Sequence, residues 1–162
     1  MSTGKIEMIF GKNGSGKTAL ALGRAMQALN EQKDVIVIQF LKGNQRPGEL
    51  EVFKRLEPEL KMFRFEKSGC YFEQLTDEEK QEERINIRNG LNYAKKVLST
   101  GECDLLVLDE VLGIVDQGII GAEELKGILE FRDEADVILT GQVMAEALRS
   151  LADKIERIEV DN

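Results

Sequence analysis

The sequence has no histidine and no tryptophan, and only two cysteines and two prolines occur among its 162 residues. Without histidine the chain cannot form a Ser–His–Asp triad, a histidine zinc site or a histidine general base. Cys70 and Cys103 are too far apart for a CxxC motif, and so few cysteines favour a reducing compartment over a disulfide framework. No apolar run approaches the ~20 residues of a membrane span, and Met1–Phe10 lacks the apolar core of a signal peptide. These absences predict a cytoplasmic protein that does not associate with membranes.

Acidic residues outnumber basic residues by 30 to 22, which gives a formal net charge of −8. An acidic chain is a poor candidate for a nucleic-acid binder that uses a broad basic surface, although a local basic pocket remains compatible with it. The 42% hydrophobic content is sufficient for a packed core. The length predicts a single domain over residues 1–162.

Short apolar runs alternate with longer helical patterns, which predicts an α/β fold with a mostly parallel sheet and helices on both faces. The predicted strands are Ile6–Phe10, Val35–Gln39, Met62–Phe65, Leu105–Leu108, Val137–Leu139 and Ile155–Val160. The predicted helices are Lys17–Leu29, Glu49–Leu56, Asp77–Leu98, Ala122–Phe131 and Met144–Leu151. We expect the Ile6–Phe10 strand to be central in the sheet, with Leu105–Leu108 close to it.

Two of the helices have recognisable sequence signals. Thr76 and Glu79 have the spacing of a capping box at the start of the long third helix. An apolar stripe follows along that helix, formed by Ile87, Leu91, Ala94 and Leu98. The expected buried face of the first helix consists of Leu22, Ala25, Met26 and Leu29.

Residues 11–18, Gly-Lys-Asn-Gly-Ser-Gly-Lys-Thr, match the pattern G-x-x-x-x-G-K-[ST] at every fixed position. A strand precedes the match and an amphipathic helix follows it, as a phosphate-binding loop requires. Glycines let backbone N–H groups turn inward around a phosphate, and the helix N-terminus adds partial positive charge. Lys17 would supply a full charge to phosphate oxygens and Thr18 a hydroxyl ligand for Mg²⁺. The predicted nucleotide-binding residues are Gly11, Lys12, Asn13, Gly14, Ser15, Gly16, Lys17 and Thr18.

A second signal is the apolar run Leu105–Leu108 followed by Asp109 and Glu110. In an open parallel sheet, ligands bind at the carboxyl ends of the strands. Together with Thr18, these acids are the predicted ligands of Mg²⁺ or Mn²⁺, and the implied ligand is a nucleotide triphosphate with its metal ion. Lys17, Thr18 and Glu110 are the predicted catalytic residues. The loop does not decide the reaction, because kinases, ATPases and motors share it.

Several segments resemble one P-loop NTPase-like family, the ATP:corrinoid adenosyltransferases of vitamin B12 metabolism, and the resemblance spans nearly the whole chain. The phosphate loop, residues 37–43 (Val-Ile-Gln-Phe-Leu-Lys-Gly), residues 104–110 (Asp-Leu-Leu-Val-Leu-Asp-Glu), residues 138–141 (Ile-Leu-Thr-Gly) and the segment 145–155 follow the order found in that family. The resemblance implies that Co(I) of a corrinoid attacks the 5′ carbon of ATP and that triphosphate leaves. Such a reaction needs no general base, because Co(I) is already a strong nucleophile.

The resemblance also implies a corrinoid site. Residues 68–73, Ser-Gly-Cys-Tyr-Phe-Glu, match the stretch whose aromatic residues displace the lower cobalt ligand, with Phe72 where the family usually has Trp. Cys70 and Gln142 depart from the family pattern, in which Phe and Arg are usual. Lys42 either adds charge near the nucleotide or corrinoid, or is an exposed lysine after a strand. A cobalamin-type substrate, a reductase or other electron donor and a homodimer are further expectations.

Two other functions remain open from the sequence. A P-loop ATPase or kinase-like phosphotransferase would need a polar residue, such as Glu110, to orient the attacking group at the γ-phosphate. A non-catalytic nucleotide or corrinoid carrier would retain the loop without turnover, and the departures at Cys70 and Gln142 keep that alternative open.

Overall fold

The computed structural model of the protein describes residues 2–41, 47–65, 72–144 and 146–161. Within these ranges the chain forms a six-stranded sheet in which every neighbouring pair of strands runs parallel. The strands are β1 Ile6–Gly11, β2 Val35–Gln39, β3 Leu60–Arg64, β4 Leu105–Asp109, β5 Asp136–Gly141 and β6 Lys154–Ile158. Each predicted strand is confirmed, with its ends displaced by at most two residues.

The strand order across the sheet is β3-β2-β4-β5-β1-β6. The prediction of a central β1 is therefore wrong, because β1 lies next to the edge strand β6, and β5 separates it from β4. Strand order in a parallel sheet is set by the crossover connections, and apolar content alone does not reveal it.

The helices are α1 Lys17–Asn30, α2 Asp77–Thr100, α3 Val111–Asp116 and α4 Ala122–Leu129. Shorter 3₁₀ segments cover Pro47–Leu56, Phe72–Gln74, Glu130–Arg132 and Glu146–Leu151. The predicted α-helices at Glu49–Leu56 and Met144–Leu151 are thus 3₁₀ segments. The first of them ends at Leu56, just before Glu57 and Pro58, where the residue preceding a proline is disfavoured in a helical conformation.

Alternate residues of the strands pack against two separate layers of helices. Ile6 and Met8 join the cluster that contains Ile87 of α2, whereas Ile9 joins the cluster that contains Ala21 and Ala25 of α1. Side chains on successive strand residues point to opposite faces, so this division shows that helices cover both faces of the sheet. The predicted α/β architecture is confirmed.

The sequence signals of α2 are confirmed in detail. The Thr76 hydroxyl accepts a hydrogen bond from the backbone N–H of Glu79, and the Glu79 carboxylate accepts one from the backbone N–H of Thr76. The predicted apolar stripe of this helix is buried at all four positions, Ile87, Leu91, Ala94 and Leu98. Within the described ranges, no helix has the length and apolar character needed to cross a membrane.

The predicted buried face of α1 is partly wrong. Ala21, Ala25 and Ala28 are buried, while Met26 is 39% exposed. Alanines recurring at steps of four and three form the face against the sheet, and Met26 directly follows one of them, so it turns away by about 100°.

Candidate nucleotide-binding site

The predicted phosphate loop and the predicted acidic pair meet at the carboxyl edge of the sheet. The loop follows β1 and leads into α1, while Asp109 ends β4 and Glu110 follows it directly. Gln39 ends β2, and Thr140 lies near the end of β5. Because these strands are parallel, the ends of β1, β2, β4 and β5 lie at the same edge of the sheet, where ligands of open α/β sheets bind.

The loop itself has the backbone of a phosphate cradle. Gly14 and Gly16 have φ angles of 81° and 96°, in the left-handed region that favours glycine. A Cβ at Gly11 would lie 2.6 Å from Ser15 Oγ and 2.8 Å from the Ile158 carbonyl oxygen, so only glycine fits there. Ser15 Oγ is buried without a hydrogen-bond partner. A buried hydroxyl inside a glycine-rich loop at a helix N-terminus fits a phosphate oxygen as its partner.

Lys17, the first residue of α1, forms a buried ion pair with Glu110. Its Nζ lies 2.9 Å from Glu110 Oε1, and the two side chains are 4% and 10% exposed. Glu110 reaches the lysine from a left-handed backbone conformation with φ of 65°, which is unusual for a residue with a side chain. The structure therefore brings these two predicted catalytic residues together.

The predicted metal ligands Thr18 and Asp109 are also in contact. The Thr18 hydroxyl lies 3.0 Å from Asp109 Oδ1 and 3.1 Å from Oδ2, and donates to the carboxylate. A hydroxyl and a carboxylate are the hard oxygen ligands that Mg²⁺ takes beside nucleotide phosphates. Glu110, the third predicted ligand, lies next to them but directs one carboxylate oxygen to Lys17.

Two polar residues of the site were not predicted from the sequence. The Thr140 hydroxyl donates to Asp109 Oδ1 over 2.6 Å, and Gln39 Nε2 donates to Asp109 Oδ2 over 3.2 Å. Arg64 in turn donates to Gln39 Oε1 over 3.3 Å. Gln39 is 1% exposed and Thr140 is fully buried. The signal in the sequence was a polar residue at the end of an otherwise apolar strand.

Among the remaining predicted loop residues, Lys12 and Asn13 are exposed. Lys42 and Cys70 lie outside the described residues. Gln142 is exposed directly after β5.

Phe72 begins the 3₁₀ segment Phe72–Gln74 and is half-buried against the core cluster on the α2 side of the sheet. The side chains of Lys80 and Arg84 lie over its ring, 5.7 Å and 5.5 Å from the centroid. The next residue, Glu73, accepts a hydrogen bond from Gln117 Nε2 over 2.8 Å. Gln117 is the C-terminal cap of α3, so this bond joins Glu73 to the far end of the helix that follows the acidic pair.

Comparison with solved structures supports the fold. A KaiC-like protein from Pyrococcus horikoshii aligns with a TM-score of 0.62 over 98% of this chain and 74% of its own, at 17% identity. At that identity the likeness concerns the fold alone.

Comparison with known sequences gives the family. The corrinoid adenosyltransferase of Escherichia coli K12 and the corrinoid adenosyltransferase CobA of Salmonella typhimurium are each 29% identical to this chain over 154 residues. Each alignment covers 94% of this chain and 76% of the relative. The family model described as ATP:corrinoid adenosyltransferase BtuR/CobO/CobP matches residues 2–160. This chain therefore belongs to the ATP:corrinoid adenosyltransferase family.

Proposed function

We propose that this protein transfers the 5′-deoxyadenosyl group of ATP to the Co(I) centre of a corrinoid and releases triphosphate. Cobalt supplies the electron pair for the new Co–C bond and is formally oxidised to Co(III). The bond between the 5′ carbon and its oxygen breaks, and the triphosphate leaves with that bond's electron pair. The observation that supports the proposal is the phosphate loop joined to Asp109 and Glu110 in a chain that matches the family over residues 2–160.

The reaction requires the protein to hold the 5′ carbon in line with cobalt and to stabilise charge on the departing triphosphate. Lys17 and the loop amides would bind the triphosphate, with Ser15 Oγ supplying a further donor. Thr18, Asp109 and Glu110 would hold Mg²⁺ or Mn²⁺, which when bound supplies positive charge to the same oxygens. No residue has to remove a proton, which agrees with a chain that contains no histidine.

The contact between Lys17 and Glu110 supports an order of events for nucleotide binding. Before nucleotide binds, Glu110 compensates the buried lysine charge. An arriving triphosphate would offer the lysine a more highly charged partner, so the ammonium would turn to phosphate and the Glu110 carboxylate would become available as a metal ligand.

The corrinoid would lie beside Phe72, whose ring would keep water and the lower cobalt ligand away from the metal. Support comes from the family resemblance of residues 68–73 and from the half-buried position of Phe72 near α3. Lys42 would add charge close to the nucleotide or the corrinoid. Reduction of Co(II) to Co(I) would require a reductase or another electron donor, and the protein would act in the cytoplasm, as a homodimer.

The experiment that tests this function is incubation of the protein with MgATP and chemically reduced cobalamin in the absence of oxygen. We expect the visible spectrum of a Co–C bonded product and one triphosphate for each product formed. ADP or inorganic phosphate instead would indicate a phosphotransferase or ATPase. Binding of both ligands without any product would indicate a carrier.

A further inference from the structure

The fully buried Thr140 hydroxyl contacts both acids of the site. It donates a hydrogen bond of 2.6 Å to Asp109 Oδ1 and accepts one of 2.8 Å from the backbone N–H of Glu110. Thr140 lies on β5 next to β4, so both bonds join neighbouring strands at their carboxyl ends. One hydroxyl thus links the side chain of the first acid to the backbone of the second.

The hydrogen bond between Thr140 and Glu110 stabilises an unfavourable backbone conformation. With φ at 65°, Glu110 lies in the left-handed region, which residues with side chains seldom adopt. This turn ends β4 and starts α3, and it directs the Glu110 carboxylate towards Lys17. The hydrogen bond from the backbone N–H of Glu110 to the Thr140 hydroxyl stabilises the turn at Glu110, the residue with the unfavourable backbone conformation.

The hydrogen bond between Thr140 and Asp109 helps to fix the orientation of the Asp109 carboxylate. Thr140 contacts Oδ1 and Gln39 contacts Oδ2, so donors from strands on either side of β4 fix the plane of the carboxylate. In this plane both oxygens lie within 3.1 Å of the Thr18 hydroxyl. A carboxylate held in this way reaches a metal ion without first losing rotational freedom.

We infer that Thr140 is a positioning residue, whose hydroxyl orients Asp109 towards Mg²⁺ and maintains the turn that presents Glu110 to Lys17. The inference rests on the proposed magnesium site. It differs from a packing role because it depends on the hydroxyl and not on the volume of the side chain.

The test measures ATP affinity by calorimetry, once with Mg²⁺ and once with EDTA, in wild type, Thr140→Val and Thr140→Ser. Valine keeps the shape of threonine but removes the hydroxyl, while serine keeps the hydroxyl. We expect Thr140→Val to weaken MgATP binding by about tenfold and metal-free ATP binding by less than about twofold. Thr140→Ser should stay within about twofold of wild type in both conditions. The matched control is Ile138→Val, a buried apolar change on the same strand, which should leave both affinities in that range.

Several outcomes would overturn the inference. Equal losses with and without Mg²⁺ in Thr140→Val would indicate general damage to the site, and unchanged affinities would remove the role of the hydroxyl. If Thr140→Val does not fold, a stable Thr140→Ser protein that loses the effect of Mg²⁺ contradicts the inference, because the hydroxyl is still present. A wild type with equal affinities in Mg²⁺ and EDTA would instead remove the proposed magnesium site itself.

Discussion

The Lys17 ammonium and the Glu110 carboxylate form a buried ion pair of 2.9 Å at the point where the phosphate loop enters α1. Under the proposed function, nucleotide binding would exchange this carboxylate partner of the loop lysine for a phosphate. The same pair also compensates two charges that would be costly to bury separately. Lys17 would then have one role in the folded state and another in ligand binding, and the two roles can be measured independently.

Removal of Lys17 should reduce stability as well as activity. Lys17→Met leaves the buried Glu110 carboxylate uncompensated, and we expect the free energy of unfolding to fall by about 3–5 kcal/mol. Adding Glu110→Gln should recover most of that loss, while turnover stays at least about tenfold below wild type in both variants. Urea unfolding and single-turnover assays of the wild type and three variants, including Glu110→Gln alone, measure both effects. An unchanged stability of Lys17→Met would show that the ion pair is not formed in solution.

The two acids should affect ATP binding differently when they are changed separately. The change at Asp109 should weaken binding in the presence of Mg²⁺, and the change at Glu110 should strengthen binding in its absence. Asp109→Asn should weaken MgATP binding by about tenfold, because the carboxylate beside Thr18 loses its charge. Glu110→Gln should strengthen metal-free ATP binding by about threefold or more, because Lys17 no longer has to leave an anionic partner. Calorimetry with and without Mg²⁺ separates the two predictions. Weaker metal-free binding in Glu110→Gln would contradict the proposed exchange of partners.

Phe72→Ala should lower the population of four-coordinate Co(II) corrinoid seen with MgATP bound. Burial of an aromatic ring stabilises by about 1.5–3 kcal/mol. Its loss is enough to shift the equilibrium between bound and displaced lower cobalt ligand by about tenfold. Activity that starts from prereduced Co(I) should decrease less, since Co(I) holds an axial ligand weakly.

The matched control for Phe72 is Phe131→Ala. Phe131 also carries a cation over its ring, Lys95 at 4.9 Å, but lies in the segment Glu130–Arg132. This control should leave the Co(II) spectrum unchanged. A stable Phe72→Ala protein with the wild-type Co(II) spectrum, or one that loses both activities equally with a lower melting temperature, would rule out contact with the corrinoid.

Cys103 should make the protein less stable at alkaline pH. Burial, with Asp104 and Glu102 nearby, raises the pKa of its thiol from 9.0 to about 12. Between these values the unfolded chain loses the thiol proton and the folded protein keeps it. The free energy of unfolding should therefore fall by about 1.4 kcal/mol per pH unit through this window, with no contribution below it.

Comparison of wild type with Cys103→Ala isolates the contribution of this thiol from those of other groups that titrate at high pH. The difference in unfolding free energy between the two proteins should be constant below pH 9 and should change steadily above it. A difference that does not vary with pH would show that the thiol ionises equally in both states.

The sequence predicted the parts of this protein that depend on local patterns. The phosphate loop is a contiguous motif, and both the capping box at Thr76 and the apolar stripe of α2 follow from spacing along one helix. The acidic pair was found because two carboxylates follow a buried strand. These features need no knowledge of distant contacts.

The parts that sequence reasoning missed depend on which strands become neighbours. Thr140 reaches Asp109 only because β5 pairs with β4. The residues of the two strands do not reveal that they are neighbours in the sheet. The exposure of Met26 depends on which face of α1 packs on the sheet, and that face is the one that carries Ala21, Ala25 and Ala28. The short helix α3 has six residues, too few for a helical period to be recognised.

The position of β1 between β5 and β6 has a consequence for synthesis of the chain on the ribosome. Ile6 lies opposite Val137, and Met8 lies opposite both Leu139 and Ile155. β1 is thus translated long before β5 and β6, its two sheet partners, and contacts of such long sequence separation form slowly. The proposed nucleotide site, to which β5 contributes Thr140, would be completed only after β5 has been translated, so ATP would not act as a folding template for the phosphate loop alone.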